Sequence, residues 1–380
     1  MNYTKSGLDH RILMLSQRNL DLKVYQCWMY EFEDVICEVD AVEMLTPISS
    51  NYSNLNKLIQ QSANRAARLI GAKKYPETFL SKNIINKEYD LFFAVFAFPS
   101  QLLYLNSLKG WKEKCHKRVC YLGEVWTKDL ENPKTINCLK LLKDFDHIFL
   151  HVKGSISKVS DIIQKPCHFM PVGIDAIKFC PYPSPPDRVI DVYSMGRRSQ
   201  VTHKTLLELA ESRKIFYVYD TTAGFSVIDY KEHRSMSSNL IKRSRYFIAY
   251  KHNINLSGLT GGQEELGSRL FERIAGGAVM LGIPPSCDAY DECFNWQDVV
   301  IPIPYEAVNI SEILSELDCQ PERLAKIRQD NVVNSLLRHD WVYRWNKILD
   351  IVGIVETSEI ALRKTNLQNL SKMVLQSNSI

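Results

Sequence analysis

The strongest constraint on this chain is an alternation that runs, stops at one proline-rich stretch, and starts again. Arg11–Ser16 (RILMLS), Tyr89–Phe98 (YDLFFAVFAF), Arg118–Leu122 (RVCYL) and His147–Val152 (HIFLHV) are short and almost continuously apolar. Such runs read as strands buried on both faces. Between them, Leu55–Ile70 and Pro99–Lys114 carry apolar residues at helical intervals. Strands alternating with helices predict a parallel α/β domain.

The break is Phe179–Asp187 (FCPYPSPPD), where four prolines forbid regular structure and stiffen the chain. It reads as a domain boundary. Beyond it the expected order is strand Val189–Met195, helix His203–Ser212, strand Ile215–Asp220, helix Glu232–Ser244 and strand Tyr246–Tyr250. A glycine-containing loop, a helix over Ser268–Ala275 and a strand over Ala278–Leu281 follow. Pro321–Val352 reads as helical, with Trp341, Val342, Trp345, Ile348 and Leu349 on one apolar face. The expected domains are therefore 1–175 and 188–353, with a polar tail, 354–380, that packs on the N-terminal domain or frays. A length of 380 residues accommodates two cores.

Composition narrows the function classes. A formal charge of +4 with 24% charged residues is no basic stripe, so no nucleic-acid partner is expected. The ten cysteines form no CxxC and precede no histidine pair at zinc spacing, which points to a reduced, cytoplasmic protein without a metal. No apolar leader and no run of membrane-spanning length is present, so neither a signal peptide nor an integral membrane segment is expected. Asp144-Phe-Asp146 mimics a metal-binding DxD but precedes a strand of the first domain and reads as surface carboxylates.

In open parallel sheets, ligands bind beyond the carboxyl ends of the strands. After the first strand of the second domain come Gly196, Arg197, Arg198 and, at a helix start, Lys204. A glycine lets backbone approach a ligand, and guanidinium forks with helix N–H groups suit phosphate oxygens; solvated loop charges are the plainer alternative. After the strand ending at Tyr250 come His252 and the loop Gly258–Gly267 leading into Ser268-Arg-Leu-Phe-Glu272. Glu272 has apolar neighbours and is expected to be partly buried. Such a carboxylate needs a cationic or hydroxyl partner: Arg269 three residues earlier, or a ribose diol. Trp28, Tyr30 and Glu31 follow the first strand as a possible acceptor face or an ordinary helix start.

Glu264 through Glu272 resembles the E-x7-E pattern of retaining GT-B glycosyltransferases, with Gly267 at the inner glycine. The run Ser268–Leu281 looks like the spore-maturation-protein-like branch, where Arg-x-x-Glu precedes Ala-x-Gly. Met170-Pro-Val-Gly-Ile-Asp175 and the helix with His339-Asp-Trp341 and Trp345 are similar to the segments that close the first domain and end the second. Two residues depart from the pattern: Glu265 stands for its usual glycine and Arg269 for its usual proline.

The resemblance implies two Rossmann-like domains facing each other across a cleft, with a C-terminal helix leading back to the first. It implies transfer of a sugar, with retention, from a UDP- or GDP-type nucleotide sugar to an unidentified acceptor, without cofactor or metal. Glu272 would bind the donor ribose. Glu264 would lie near the donor sugar or the catalytic face, and Glu264 and Arg197 would be the catalytic residues. Arg197, with Arg198 or Lys204, would neutralise the diphosphate. Gly196, Gly267, Ser268, Arg269 and His252 would complete the donor site. The alternatives are a non-catalytic nucleotide-sugar-binding protein of the same fold, or an epimerase or phosphorylase on that scaffold.

Overall fold

A computed structural model describes residues 10–18, 23–46, 84–220, 227–251, 254 and 257–377. The expected helix Leu55–Ile70 and His252 lie outside the described residues.

The chain divides into two compact units that are not continuous in sequence. The first comprises Met1–Leu22, Ile36–Pro171 and Leu349–Val355; the second comprises Lys23–Val35, Val172–Ile348 and Glu356–Ile380. Each holds one sheet. The first has β1 (Ile12–Leu15), β2 (Val42–Leu45), β3 (Tyr89–Phe96), β4 (Cys115–Leu122), β5 (His147–Leu150) and β6 (Cys167–Phe169), in the order β2-β1-β3-β4-β5-β6. The second has β7 (Ile190–Ser194), β8 (Tyr217–Tyr219), β9 (Ser244–Tyr250), β10 (Val279–Ile283) and β11 (Val300–Pro302), in the order β11-β10-β9-β7-β8.

All strand pairings in both sheets are parallel. Burial on both faces is what the continuous apolar runs encode: seven of the eight residues of β3 are buried. In the first unit Phe92, Trp111 and Phe145 pack with Leu13, Cys120 and Ile148. In the second, Val192, Tyr246, Val279 and Leu281 pack against Leu206, Leu314 and Ile327.

The second sheet reverses direction at β7. From β7 the chain steps outward to β8, then crosses to β9 on the other side. That reversal places a topological switch point at the carboxyl ends of β7 and β9, where the connecting loops diverge and leave a crevice. The longer helices of this unit are α1 (Cys27–Val39, whose first residues belong here), α2 (Gln200–Glu211), α3 (Tyr230–Lys242), α4 (Ser268–Ala275), α5 (Ile310–Asp318), α6 (Pro321–Asn334), α7 (Trp341–Val352, whose last residues belong to the first unit) and α8 (Ser358–Ser377).

Helix α8 belongs to the second unit, and its inward row, Ile360, Arg363, Leu367, Ser371 and Val374, is buried. Arg363 anchors it there on Asp175 (2.8 Å) and Asp340 (2.9 Å). Among the described residues no helix is long and apolar enough to cross a membrane. All ten cysteines are free. Asp144 and Asp146 each pair with a cation, Lys112 and Arg118.

The return from α4 into β10 is made by Gly276 and Gly277, the second at φ +70. A side chain at Gly277 would meet Arg188 at 2.8 Å and Val332 at 3.0 Å. Left-handed backbone costs an L-residue about 1–2 kcal/mol before any clash. Gly277→Ala is therefore expected to lower stability by at least about that amount, read as a shift of the urea midpoint at unchanged slope. An unchanged midpoint would mean that the turn is not so constrained.

Candidate functional site

The site grows from the carboxyl ends of β7 and β8 and the first turn of α4. Gly196 follows β7 at φ +87, a conformation that suits glycine. Any side chain there would collide with the Arg269 guanidinium, so the residue's bareness sets how close α4 comes. The Gly196 N–H donates to Asp220 (2.8 Å), just past β8. Arg198 donates to the same carboxylate (2.9 Å) and to the Asp220 carbonyl, and its guanidinium lies 5.2 Å from the Tyr219 ring centre. Its charge is thus already met. Arg197, next to it, is exposed and makes no side-chain hydrogen bond or ion pair among the described residues.

Helix α4 begins at Gly267, whose extended backbone forms the N-cap without a side-chain bond. Among the described residues nothing lies within 4 Å of where a Gly267 side chain would stand. Ser268 opens the helix, and the first-turn N–H groups carry the positive end of the helix dipole. Arg269 is half-buried and has no carboxylate within ion-pair distance among the described residues. Burial, then the like charge of Arg273, lowers its pKa. An arginine so placed favours an arriving anion.

Glu272 is 8% exposed, as its apolar neighbours predict. Its partner is not Arg269. Arg234 of α3 donates through Nη1 to Oε1, and Arg273 donates through Nη1 to Oε2. Helical spacing puts Arg269 near Glu272 in sequence, but Arg269 is drawn beneath Gly196 and contributes only at longer range. Burial pushes the Glu272 pKa up, and the charges of Arg234 and Arg273 more than offset it, holding it at about 2. Arg273 is fully buried, 4.2 Å from the Phe247 ring centre.

Glu264 lies apart from this group. It pairs with Lys251, at the end of β9, and accepts the Ser286 N–H (2.8 Å). Burial opposes its charge, and these two donors hold its pKa below the ordinary value. Lys204 is exposed on α2, 3.9 Å from Glu208, and is not drawn into the cluster. Trp28, Tyr30 and Glu31 offer no open acceptor face. All three are buried: Trp28 stacks on Trp341 (6.0 Å), Tyr30 packs on Tyr230 (5.2 Å) and Glu31 is fully enclosed. Their aromatic and acidic character serves the interior of the second unit.

Glu31 is instead the second anchor of Arg234. It accepts Nε (2.7 Å) and Nη2 (3.0 Å) of that arginine. Arg234, Arg273 and Asp220 are absent from the sequence-level site. Arg234 shares a buried face of α3 with Ser237, Ser238 and Ile241, at positions i, i+3, i+4 and i+7. A charged residue on an otherwise small and apolar face was the available signal. Arg197, Arg198, Arg234, Arg269 and Arg273 stand here against Glu31, Asp220 and Glu272, a surplus of two positive charges. Among the described residues no three His, Cys, Asp or Glu side chains converge as for a metal ion.

Compared by sequence, the chain matches no protein-family model and no curated protein. Compared by structure, it is similar to Anabaena HepE in complex with UDP and glucose, at 12% identity over 91% of this chain and 100% of that one, with a TM-score of 0.51. The HepE complex with UDP-glucose matches at 12% identity, 90% and 99% coverage and a TM-score of 0.51. The N-terminal domain of Candida albicans trehalose-6-phosphate phosphatase matches at 9% identity, 93% and 98% coverage and a TM-score of 0.51. The chain has the GT-B fold. At these identities the likeness is one of fold, and the chemistry must be argued from the residues.

The cluster makes a prediction about acid stability. Because the Glu272 pKa is about 2 in the folded chain against an ordinary 4.5, its charge stabilises the fold above about pH 4.5, and that contribution is lost as pH falls toward 2. The shift corresponds to about 3 kcal/mol. Glu272→Gln is expected to cost on the order of that amount at pH 6, with the gap to wild type closing below pH 4.5 in urea titrations. A gap independent of pH would mean that the carboxylate's charge is not what Arg234 and Arg273 hold.

Proposed function

We propose that this chain is a glycosyltransferase that moves a sugar, with retention, from a UDP- or GDP-type nucleotide sugar to an acceptor hydroxyl. The observation that carries the reading is the arginine surplus at the switch point of the second sheet. Two unbalanced positive charges and an open helix N-terminus suit a diphosphate carrying about two negative charges. The GT-B fold shared with HepE, whose complexes hold UDP and UDP-glucose, supports the same reading. The resemblance of Glu264–Glu272 to the retaining E-x7-E pattern supports retention.

In this reading Arg197 and Arg269 receive the diphosphate, while Asp220 and Gly196 fix the loop that presents Arg197. Glu272 accepts the ribose hydroxyls. Glu264, held by Lys251, stands toward the donor sugar. The bond from the anomeric carbon to the diphosphate oxygen breaks, and a bond to the acceptor oxygen forms on the same face. The acceptor's proton passes to the departing phosphate oxygen, so no protein base is required. The protein's main contribution is stabilisation of charge on the leaving diphosphate. Arginines do this work, and the reaction needs no metal ion.

Two outcomes follow. Arg197→Ala is expected to weaken UDP or GDP binding about tenfold or more while leaving uridine or guanosine binding unchanged, by calorimetry. Equal loss for nucleoside and diphosphate, or no loss, would move the phosphate site elsewhere. Turnover of the donor that best raises the melting temperature should persist after EDTA treatment; loss restored only by a divalent cation would overturn metal independence.

A further inference from the structure

Glu31 and Glu272 bind the same arginine but differ in what remains free. A carboxylate offers about four lone-pair positions. At Glu31 four donors converge, three on one oxygen: Oε1 accepts the Asp175 N–H (2.9 Å), the Trp341 Nε1–H (3.2 Å) and Arg234 Nη2 (3.0 Å), and Oε2 accepts Arg234 Nε (2.7 Å). Its side chain is fully enclosed, so it binds no ligand. At Glu272 each oxygen accepts one bond, from Arg234 and from Arg273, and 11% of the side chain remains accessible. About two acceptor positions are left, the number that a ribose diol requires.

The difference arises in how Arg234 is shared. Its Nε and Nη2 form a two-point fork on Glu31, and only Nη1 reaches Glu272. The guanidinium carbon lies 4.8 Å from the Phe179 ring centre, a contact with the plane of the group that leaves its rotation within that plane to its carboxylate partners. Without the Glu31 charge, the fork is released to turn toward Glu272. Two-point pairing is the geometry that guanidinium and carboxylate prefer, and it would occupy a further acceptor position.

We propose that Glu31 is a positioning residue for donor recognition: by occupying the Arg234 fork, it keeps the free lone pairs of Glu272 open to the two ribose hydroxyls. The proposal rests on the reading that Glu272 receives the ribose. It assigns to the segment Lys23–Val35, which belongs to the second unit, a part in the donor site without any contact to the donor. Asp175 and Trp341 extend the same support, since their N–H groups both donate to Glu31 Oε1 and hold the carboxylate in place.

The test compares UDP with 2′,3′-dideoxy-UDP by calorimetry, with GDP and its dideoxy analogue in parallel, on wild type, Glu272→Gln and Glu31→Gln. The amide at position 31 keeps an oxygen for Asp175 and Trp341 but turns away the Arg234 fork. Wild type is expected to prefer the ribose form about tenfold, and Glu31→Gln to lose most of that preference while binding the dideoxy form as wild type does. A preference abolished by Glu272→Gln but intact in Glu31→Gln overturns the proposal and leaves the ribose reading standing. No preference in wild type overturns both. If Glu31→Gln does not fold, Arg234→Lys replaces it: a point charge cannot fork onto Glu272, so its lone pairs stay open and the preference should persist, and a folded Arg234→Lys protein that loses the preference overturns the proposal.

Discussion

The second unit depends on one buried arginine. Arg234 is raised above the ordinary arginine pKa, because burial alone would lower it and the charges of Glu31 and Glu272 outweigh burial. It joins a residue near the start of the chain to one in its last third, and both lie inside a single unit. Removing any one member leaves an uncompensated buried charge, which is the costly way to break such a group. The cluster is therefore better understood as a device that fixes where groups point than as a source of net stability. What it fixes is Glu272, an acceptor held ionised and aimed, at the point where the sheet order reverses.

The glycines and the carboxylates divide the remaining work. Gly196 lets Arg269 approach β7, and Asp220 holds the loop from the other side through the Gly196 N–H and Arg198. Arg198 is spent on that task, and its neighbour Arg197 is the arginine left facing outward. One loop thus supplies a structural arginine and an unpaired one in adjacent positions. The same contrast separates Glu31 from Glu272: two acidic residues near one guanidinium, one saturated and one half-used.

Much of the architecture was legible because short, almost continuously apolar runs such as YDLFFAVF, of strand length and rich in aromatic and β-branched residues, suit a strand buried on both faces. Two three-residue strands were not. Cys167–Phe169 and Val300–Pro302 have three residues each and exist through pairing with β5 and β10, which no local pattern encodes. Helix α8 was hidden because its inward row mixes Ile360, Leu367 and Val374 with Arg363 and Ser371, so its apolar stripe reads as interrupted. In the site, Gly196, Arg197, Arg269 and Glu272 were legible because loops after strands and a glycine-flanked helix mark themselves in sequence. The role of Glu31 was not: its partner is 203 positions away, and an acidic residue between aromatics looks the same on a surface as in a saturated interior pocket.

In the proposed function the switch point of the second sheet receives a nucleoside diphosphate, with its ribose on Glu272. A crystal structure of the full chain grown with UDP, or with GDP if that binds more tightly, tests it most directly. Diphosphate oxygens are expected within hydrogen-bond distance of Arg197 or Arg269 and both ribose hydroxyls on Glu272, with Arg234 still forked on Glu31. A nucleotide bound away from β7 and α4, or a ribose that leaves Glu272 touching only Arg234 and Arg273, would contradict it.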